Sequence, residues 1–246
     1  MSTQNGEEEF LASYDAAQFD RPSLAVDVVL LTVIDGALEV ALLERTAHPD
    51  RGRWSLPGGF VRIDESLDRA ATRVLADKAA LANVYLEQLY TFGALGRDPR
   101  TRVISVAYCA LVDPTRLAPA RSDRVLAFAR IEVPWEGETG GPVSARDPQD
   151  RELPLAFDHA DILGMAVKRV RGKLDYTPIG FQLLPDIFTL RRLQDVHETI
   201  LGRALNKDSF RRRMLASGQL EATGERESQV GHRPAELYRF ARRSAI

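Results

Sequence analysis

The stretch LPGGFVRIDESLDRAATRVLADKAAL, running from Leu56 to Leu81, decides the fold. Its opening, Trp54–Phe60, is punctuated by Pro57, Gly58 and Gly59 and reads as a loop. From Ser66 to Leu81 the pattern changes, because Leu67, Ala70, Ala71, Val74 and Leu75 recur at helical spacing. A loop-then-helix unit follows. Upstream, Ala25–Thr32 is a β-branched apolar run, Asp35-Gly36 is a turn signal and Leu38–Leu43 resumes the strand pattern, which together predict a hairpin. Downstream, strand-like runs at Gln88–Gly93, Val103–Val112 and Arg124–Trp135 are separated by turn-rich Gly96–Thr101 and Asp113–Asp123. Glu136–Asp150, rich in Gly, Pro and charge, reads as an extended, mobile loop, and helical spacing returns at Phe157–Val170.

A chain of 246 residues holds one large domain or two modest ones. Apolar residues at 44% and charged residues at 28% are ordinary for a globular protein and exclude a disordered, collagenous or disulfide-built chain. The single cysteine, Cys109, sits inside an apolar run and reads as a buried thiol. The first twenty residues are acidic and polar and read as a flexible lead without a signal-peptide core; no stretch reaches the roughly 18–20 apolar residues of a membrane span. A cytoplasmic chain is expected. The net charge of −2 hides an asymmetry, since Phe188–Ile246 carries 12 Lys/Arg against 7 Asp/Glu. A basic tail on an acidic body predicts a polyanionic partner for one part only.

The tail has its own organisation. Gly172–Pro185, with Gly172, Pro178, Gly180 and Pro185, is the best linker candidate. Thr189 then reads as an N-cap, Phe188 and Leu193 as a hydrophobic staple, and Leu190, Leu193, His197, Ile200 and Leu201 as a stripe ended by Gly202. Asn206 or Asp208 can cap a second helix through Ser217, stopped by Gly218, with Phe210 and Met214 facing inward. Gln219–Thr223 and Ala235–Phe240 alternate as a hairpin. Helix, turn, helix and hairpin is the order of a winged helix-turn-helix.

The 56–81 stretch resembles the signature of the Nudix hydrolases, in which a glycine is followed after five residues by glutamate and after seven more by Arg-Glu-apolar-x-Glu-Glu-x-Gly-apolar. Gly59, Glu65, Arg73, Leu75 and Leu81 match; Val74, Asp77 and Lys78 stand where the family has glutamates, and Ala80 where it has glycine. Positions 74, 77 and 78 are spaced i, i+3 and i+4, one helical face on which three carboxylates would bind Mg²⁺. Here one ligand is aliphatic and another is an ammonium. Lys78, held by Asp77 and Glu65, is expected to place its charge about where the metal would sit, attracting a diphosphate without activating water. No catalytic residue, metal or required cofactor is expected.

Around this box, arginines suit a diphosphate because a guanidinium makes bidentate, always-charged contacts. The expected effector contacts are Arg45, Arg53, Trp54, Gly58, Gly59, Phe60, Glu65, Asp77, Lys78, Arg97, Asp98 and Arg102, with Trp54 and Phe60 stacking on a base or covering a ribose. His159 is either a polar residue at a helix start or a further contact. In the tail, Lys207, Ser209, Arg211, Arg212 and Arg213 lie on the second helix, which in this motif enters the major groove, and Arg226, His232 and Arg233 lie at the wing tip. Three adjacent arginines cannot all point one way, so at most two of Arg211, Arg212 and Arg213 should touch DNA together.

From about Leu11 to Phe240 the chain resembles the Nudix-related transcriptional regulators of the NrtR type. The likeness is carried by Leu56–Phe60, Gly96–Arg102, Leu155–His159, Phe188-Thr189-Leu190, Phe210–Arg213 and Arg233-Pro234-Ala235. It implies an α+β chain: a flexible segment at 1–20, a Nudix-like α/β/α sandwich with a mixed sheet over 21–171, a linker at 172–187 and a winged helix-turn-helix over 188–246. It also implies a bacterial repressor, a homodimer on a palindromic double-stranded DNA operator near genes of NAD biosynthesis, released by ADP-ribose or a related NAD product. Relatives look like regulators of pentose use, so a pentose or its phosphate is the alternative effector. The alternative activity is that of a working Nudix pyrophosphatase cleaving ADP-ribose-type substrates.

Overall fold

The computed structural model describes residues 3–117, 126–228, 231 and 233–241. Where a flexible lead was expected, Thr3–Ser13 forms helix α1 and Asp15 caps a short 3-10 turn at Ala16–Gln18. The run Glu7–Ala12 is made of helix-compatible residues, which explains an ordered though exposed helix.

The hairpin forms as strands β1 (Ser23–Ile34) and β2 (Ala37–Glu44), with β3 (Trp54–Ser55) against β2 and β4 (Gly58–Phe60) against the start of β1. The Trp54–Phe60 loop is thus two short strands around Leu56-Pro57. Helix α2 (Leu67–Ala79) starts at Ser66, whose side chain accepts the Arg69 N–H, and ends at Ala80 in the left-handed conformation. Strands β5 (Tyr85–Phe92), β6 (Val103–Leu111) and β7 (Ala127–Glu132) complete most of the sheet. The sheet order is β5-β6-β1-β2-β7-β8, with β1 and β6 parallel and its other pairs antiparallel, so the sheet is mixed.

Val143, just before strand β8 (Ser144–Arg146), and Ala145 within it both face inward, which contradicts the mobile loop expected over 136–150. A Cβ at Gly164 would collide with the Gly141 carbonyl, so this segment is pressed onto helix α3 (His159–Lys173). The glycines serve close approach here, not slack.

β1 alternates between two cores. Val26, Val28 and Leu30 face Ala70, Ala71, Val74 and Leu75 of α2, while Val29 and Leu31 face Ile162, Leu163, Ala166 and Val167 of α3. Both faces are covered by helices, which is why this strand reads as an unbroken apolar run.

The C-terminal unit begins with β9 (Phe188–Thr189). Helix α4 (Leu190–Leu201) is capped by the Thr189 hydroxyl and stopped by Gly202 at φ 67°. Helix α5 (Lys207–Ala216) is capped by Asn206, and β10 (Leu220–Arg226) and β11 (Glu236–Phe240) form the wing in the order β10-β11-β9. The supposed linker is not slack. Pro178–Leu183 is a 3-10 helix with Ile179, Phe181 and Leu183 buried, and α3 itself runs through Gly172 to Lys173. Leu193, Val196 and Ile200 of α4 join the same core as α3, because the linker's apolar residues have nowhere else to be shielded.

Candidate functional site

A cavity of about 610 Å³ opens where β1, β4, the segment after β5 and the start of α3 meet. Its volume lies in the range of small-molecule sites. The floor is Asp27, a carboxylate set within the apolar run of β1 and 8% exposed. Ser105 Oγ, on the parallel neighbour strand, donates to Asp27 Oδ2 at 2.6 Å. A Cβ at Gly58 would collide with Asp27 Oδ1, so only glycine lets β4 pass this close to the carboxylate.

Arg97 grips Asp158 with two hydrogen bonds of 2.9 and 2.7 Å and reaches Asp27 at 3.4 Å, with its side chain 5% exposed. Burial opposes its charge, but the two carboxylates outweigh that and hold the guanidinium above its usual pKa. Arg97 therefore borders the cavity as a strut between β1 and α3, its Nε and Nη2 donors engaged by Asp158 and Asp27, and not as the fully open phosphate arm expected. His159 is fixed in the same way. The Leu56 N–H donates to Nδ1 at 2.9 Å, which places the ring proton on Nε2, 3.7 Å from Asp27 Oδ1. Burial pushes its pKa down, so the ring is neutral. Arg100 forms a pair with Asp98 at 2.7 Å and lies over the Phe60 ring at 5.8 Å.

Two cations remain. Arg45 lies over the Phe157 ring at 4.6 Å and donates to the Pro49 carbonyl at 2.9 Å, and Lys78 is exposed on the cavity rim. Among the described residues neither is ion-paired. Phe157 is held at φ 52°, with its N–H donating to Asp50 Oδ2 at 3.0 Å, which turns the ring beneath Arg45.

Of the expected contacts, Arg45, Gly58, Gly59, Phe60, Lys78, Arg97, Asp98 and His159 border the cavity. Arg53, Trp54, Glu65, Asp77 and Arg102 do not. Trp54 pairs in β3 and packs partly buried on the core, its backbone N–H donating to the Pro154 carbonyl at 2.9 Å. Arg53 reaches the Leu155 carbonyl at 3.4 Å, and Arg102 donates to the Ala94 carbonyl at 2.9 Å, closing its own loop. Glu65 is held by Arg73 at 2.9 and 2.6 Å; these bonds drop its pKa to about 2. Arg73 also stands 3.8 Å from Asp77. The expected clamp of Glu65 and Asp77 on Lys78 is therefore a clamp on Arg73.

Val74 is 1% exposed and packed in the α2 core, while Asp77 and Lys78 are exposed, so the three positions do not present one polar face. An aliphatic group, an ammonium, and carboxylates already engaged by Arg73 do not fit a hard divalent cation, which needs several oxygen donors. Among the described residues no group of three or more His, Cys, Asp or Glu is placed to hold a metal.

Sequence reasoning missed Asp27, Glu44 and Phe157, which line the cavity together with Arg100 of the 96–102 loop. A lone carboxylate inside Val26–Leu31 was a usable signal for Asp27. Nothing local announces Phe157.

In the C-terminal unit, Lys207, Ser209, Arg211 and Arg212 are exposed along α5, while Phe210 and Met214 are buried. Arg213 turns back to Asp175 at 2.9 Å and lies over Phe210 at 5.7 Å, while exposed Arg211 also meets the Tyr238 side chain and Arg212 points outward. Arg226 and Arg233 are exposed at the wing; His232 lies outside the described residues.

Residues 22–140 match the NUDIX domain model and residues 180–240 the NrtR DNA-binding winged helix domain model. The chain is 37% identical to the ADPR responsive transcriptional repressor NtrR of Acinetobacter baylyi, across 96% of this chain and 89% of that protein. It superposes on Shewanella oneidensis NrtR complexed with a 27mer DNA with a TM-score of 0.73 and 35% identity, covering 88% of this chain and 93% of that one. A MutT/nudix family protein of Enterococcus faecalis aligns with a TM-score of 0.74 and 25% identity over 97% and 98% of the two chains. Two domains in this order, matched nearly end to end by such relatives, place the chain in the NrtR family of Nudix-related transcriptional regulators.

Proposed function

We propose that this chain is a transcriptional repressor that binds operator DNA through its winged helix and is released by ADP-ribose held in its Nudix cavity. The observation that carries the reading is the cavity itself: among the described residues Arg45 and Lys78 border it without ion pairs, beside the Gly58-Gly59 backbone, while the helix behind it has Val74 and Lys78 where the Nudix signature has glutamates. Such a site attracts a diphosphate and lacks the donor set that would activate water on a metal. Phe60, Arg100 and Phe157 supply the flat surfaces a base or ribose needs.

The sensing unit comprises about residues 21–171 and the reading unit about 188–246, with the packed 172–187 segment between them. Lys207, Arg211, Arg212, Arg226 and Arg233 contact phosphates, and Ser209 at the start of α5 faces base edges. A single recognition helix reads few base pairs, so the active form is a homodimer on a palindrome. Catalysis plays no part. ADP-ribose weakens DNA binding only by its differential affinity for two arrangements of the units.

The test is a mobility shift of the full chain on a duplex from its own upstream region, with ADP-ribose, ribose 5-phosphate or free pentose added. Release by ADP-ribose alone supports the reading. Release by the sugars alone, or a retained complex in all arms, overturns it.

A further inference from the structure

Helix α3 has one end in the cavity and the other on the DNA-reading unit. At its start, Phe157 and His159 line the cavity and Asp158 holds Arg97. A 15-residue helix spans about 22 Å, so its last turn lies far from any bound ligand. There the Arg171 guanidinium, on a residue 7% exposed, donates from Nε to the Ile200 carbonyl at 2.8 Å and from Nη1 to the Trp135 and Gly137 carbonyls at 3.3 and 3.1 Å. Ile200 O is one of the last carbonyls of α4, the negative end of that helix, so Arg171 caps the first helix of the winged unit from the other domain. Two residues past the end of α3, Asp175 pairs with Arg213 on α5 at 2.9 Å. One helix end thus ties both helices of the DNA reader.

We propose that α3 is the coupling element between cavity and winged unit, with Arg171 and Asp175 as positioning residues that set the orientation of α4 and α5. The inference rests on the cavity being the effector site. The apolar contacts of Leu193, Val196 and Ile200 with the α3 core are non-directional and hold the units together. The carbonyl and carboxylate ties are directional and fix how the units sit. A ligand that shifts Phe157, Asp158 or His159 bears on the helix that carries those ties. The start of the 136–150 segment gains a role here as well, because the carbonyls of Gly137 and of the preceding Trp135 share Arg171 with Ile200, and the Trp135 ring lies 4.9 Å from the guanidinium.

The experiment uses the full chain and three variants, Arg171→Met, Arg171→Lys and Asp175→Ala. DNA affinity is read by fluorescence anisotropy on the upstream duplex with and without saturating ADP-ribose. ADP-ribose affinity is read by calorimetry with and without the duplex. ADP-ribose affinity in the absence of DNA should stay within about twofold of wild type in every variant. The ratio of DNA affinities without and with ADP-ribose should fall at least about fivefold in Arg171→Met and at least about twofold in Asp175→Ala, whose pair is exposed, with Arg171→Lys between Arg171→Met and wild type. By linkage, the effect of DNA on ADP-ribose affinity falls by the same factor, and the near-wild-type ADP-ribose affinity without DNA distinguishes this from loss of fold. Asp175 is exposed, so its variant decides the matter if Arg171→Met fails to fold. A wild-type ratio retained in every folded variant overturns this inference alone, as does a ratio lost only because ADP-ribose no longer binds. A wild-type ratio of one overturns the proposed function and this inference with it.

Discussion

Replacing Arg97 by methionine separates a strut from a ligand arm. The Arg97 side chain is 5% exposed, and its partners Asp27 and Asp158 are 11% and 18% exposed, so removing the guanidinium leaves two poorly solvated carboxylates without the cation they shared. Breaking a buried pair from one side costs about 3–5 kcal/mol, because the remaining charge is uncompensated. For a chain of this size each kcal/mol moves the midpoint by about 2–4 °C, so Arg97→Met should unfold roughly 6–20 °C below wild type. The assay is thermal unfolding of the full chain followed by circular dichroism. A second variant, Arg97→Met with Asp158→Asn, should recover part of the loss, since the amide removes one stranded charge. A midpoint within about 2 °C of wild type, coupled to a lost response to ADP-ribose, would refute the strut and restore Arg97 as an arm that reaches the ligand.

Three further outcomes follow from the same geometry. Gly58→Ala drives a methyl into the Asp27 carboxylate and to 3.0 Å from the Val26 carbonyl, so it should cost about 1–3 kcal/mol and weaken ADP-ribose binding at least about tenfold in calorimetry; unchanged affinity would mean that Asp27 does not shape the site. His197 is pushed down to about 4, chiefly by burial and then by the charge of Arg213, so the folded ring stays neutral while the unfolded ring takes a proton near pH 6.5. Stability is therefore full above pH 6.5 and falls as pH drops toward 4, by about 3 kcal/mol from His197 alone, with His159 acting in the same direction. Urea unfolding at pH 7 and pH 5 checks this, and greater stability at pH 5 contradicts it. On DNA, Arg212→Ala should lower the slope of log affinity against log salt by about one, and Arg213→Ala by less, since Arg213 is already paired with Asp175. Equal slopes for the two variants would contradict that orientation.

What was legible in the sequence was mostly local. Thr189, Asn206, Gly202 and Gly218 act within a turn of their own helices, and the structure places each as an N-cap or as the residue that stops its helix. The alternation of β1 and the periodicity of α2 likewise depend on near neighbours. The misreadings concern partners distant along the chain. Arg97 looked like an open arm because Asp158, which engages it, lies 61 residues away. Gly172–Pro185 and Glu136–Asp150 looked slack because glycine and proline mark both loose chain and close packing, and only the position of α3 distinguishes the two. At positions 74, 77 and 78 one helix turn serves two faces: Val74 belongs to the buried apolar stripe with Ala70, Ala71 and Leu75, while Asp77 and Lys78 lie outside it.

The measurement that bears most directly on a sensing cavity without catalysis follows both outputs in one tube. Labelled upstream duplex is bound by the full chain in Mg²⁺, ADP-ribose is added, and anisotropy is recorded while AMP and ribose 5-phosphate are quantified over hours. The duplex is expected to be released and to stay released, with ADP-ribose recovered intact. Steady formation of AMP with re-binding of the duplex as ADP-ribose is consumed would contradict it.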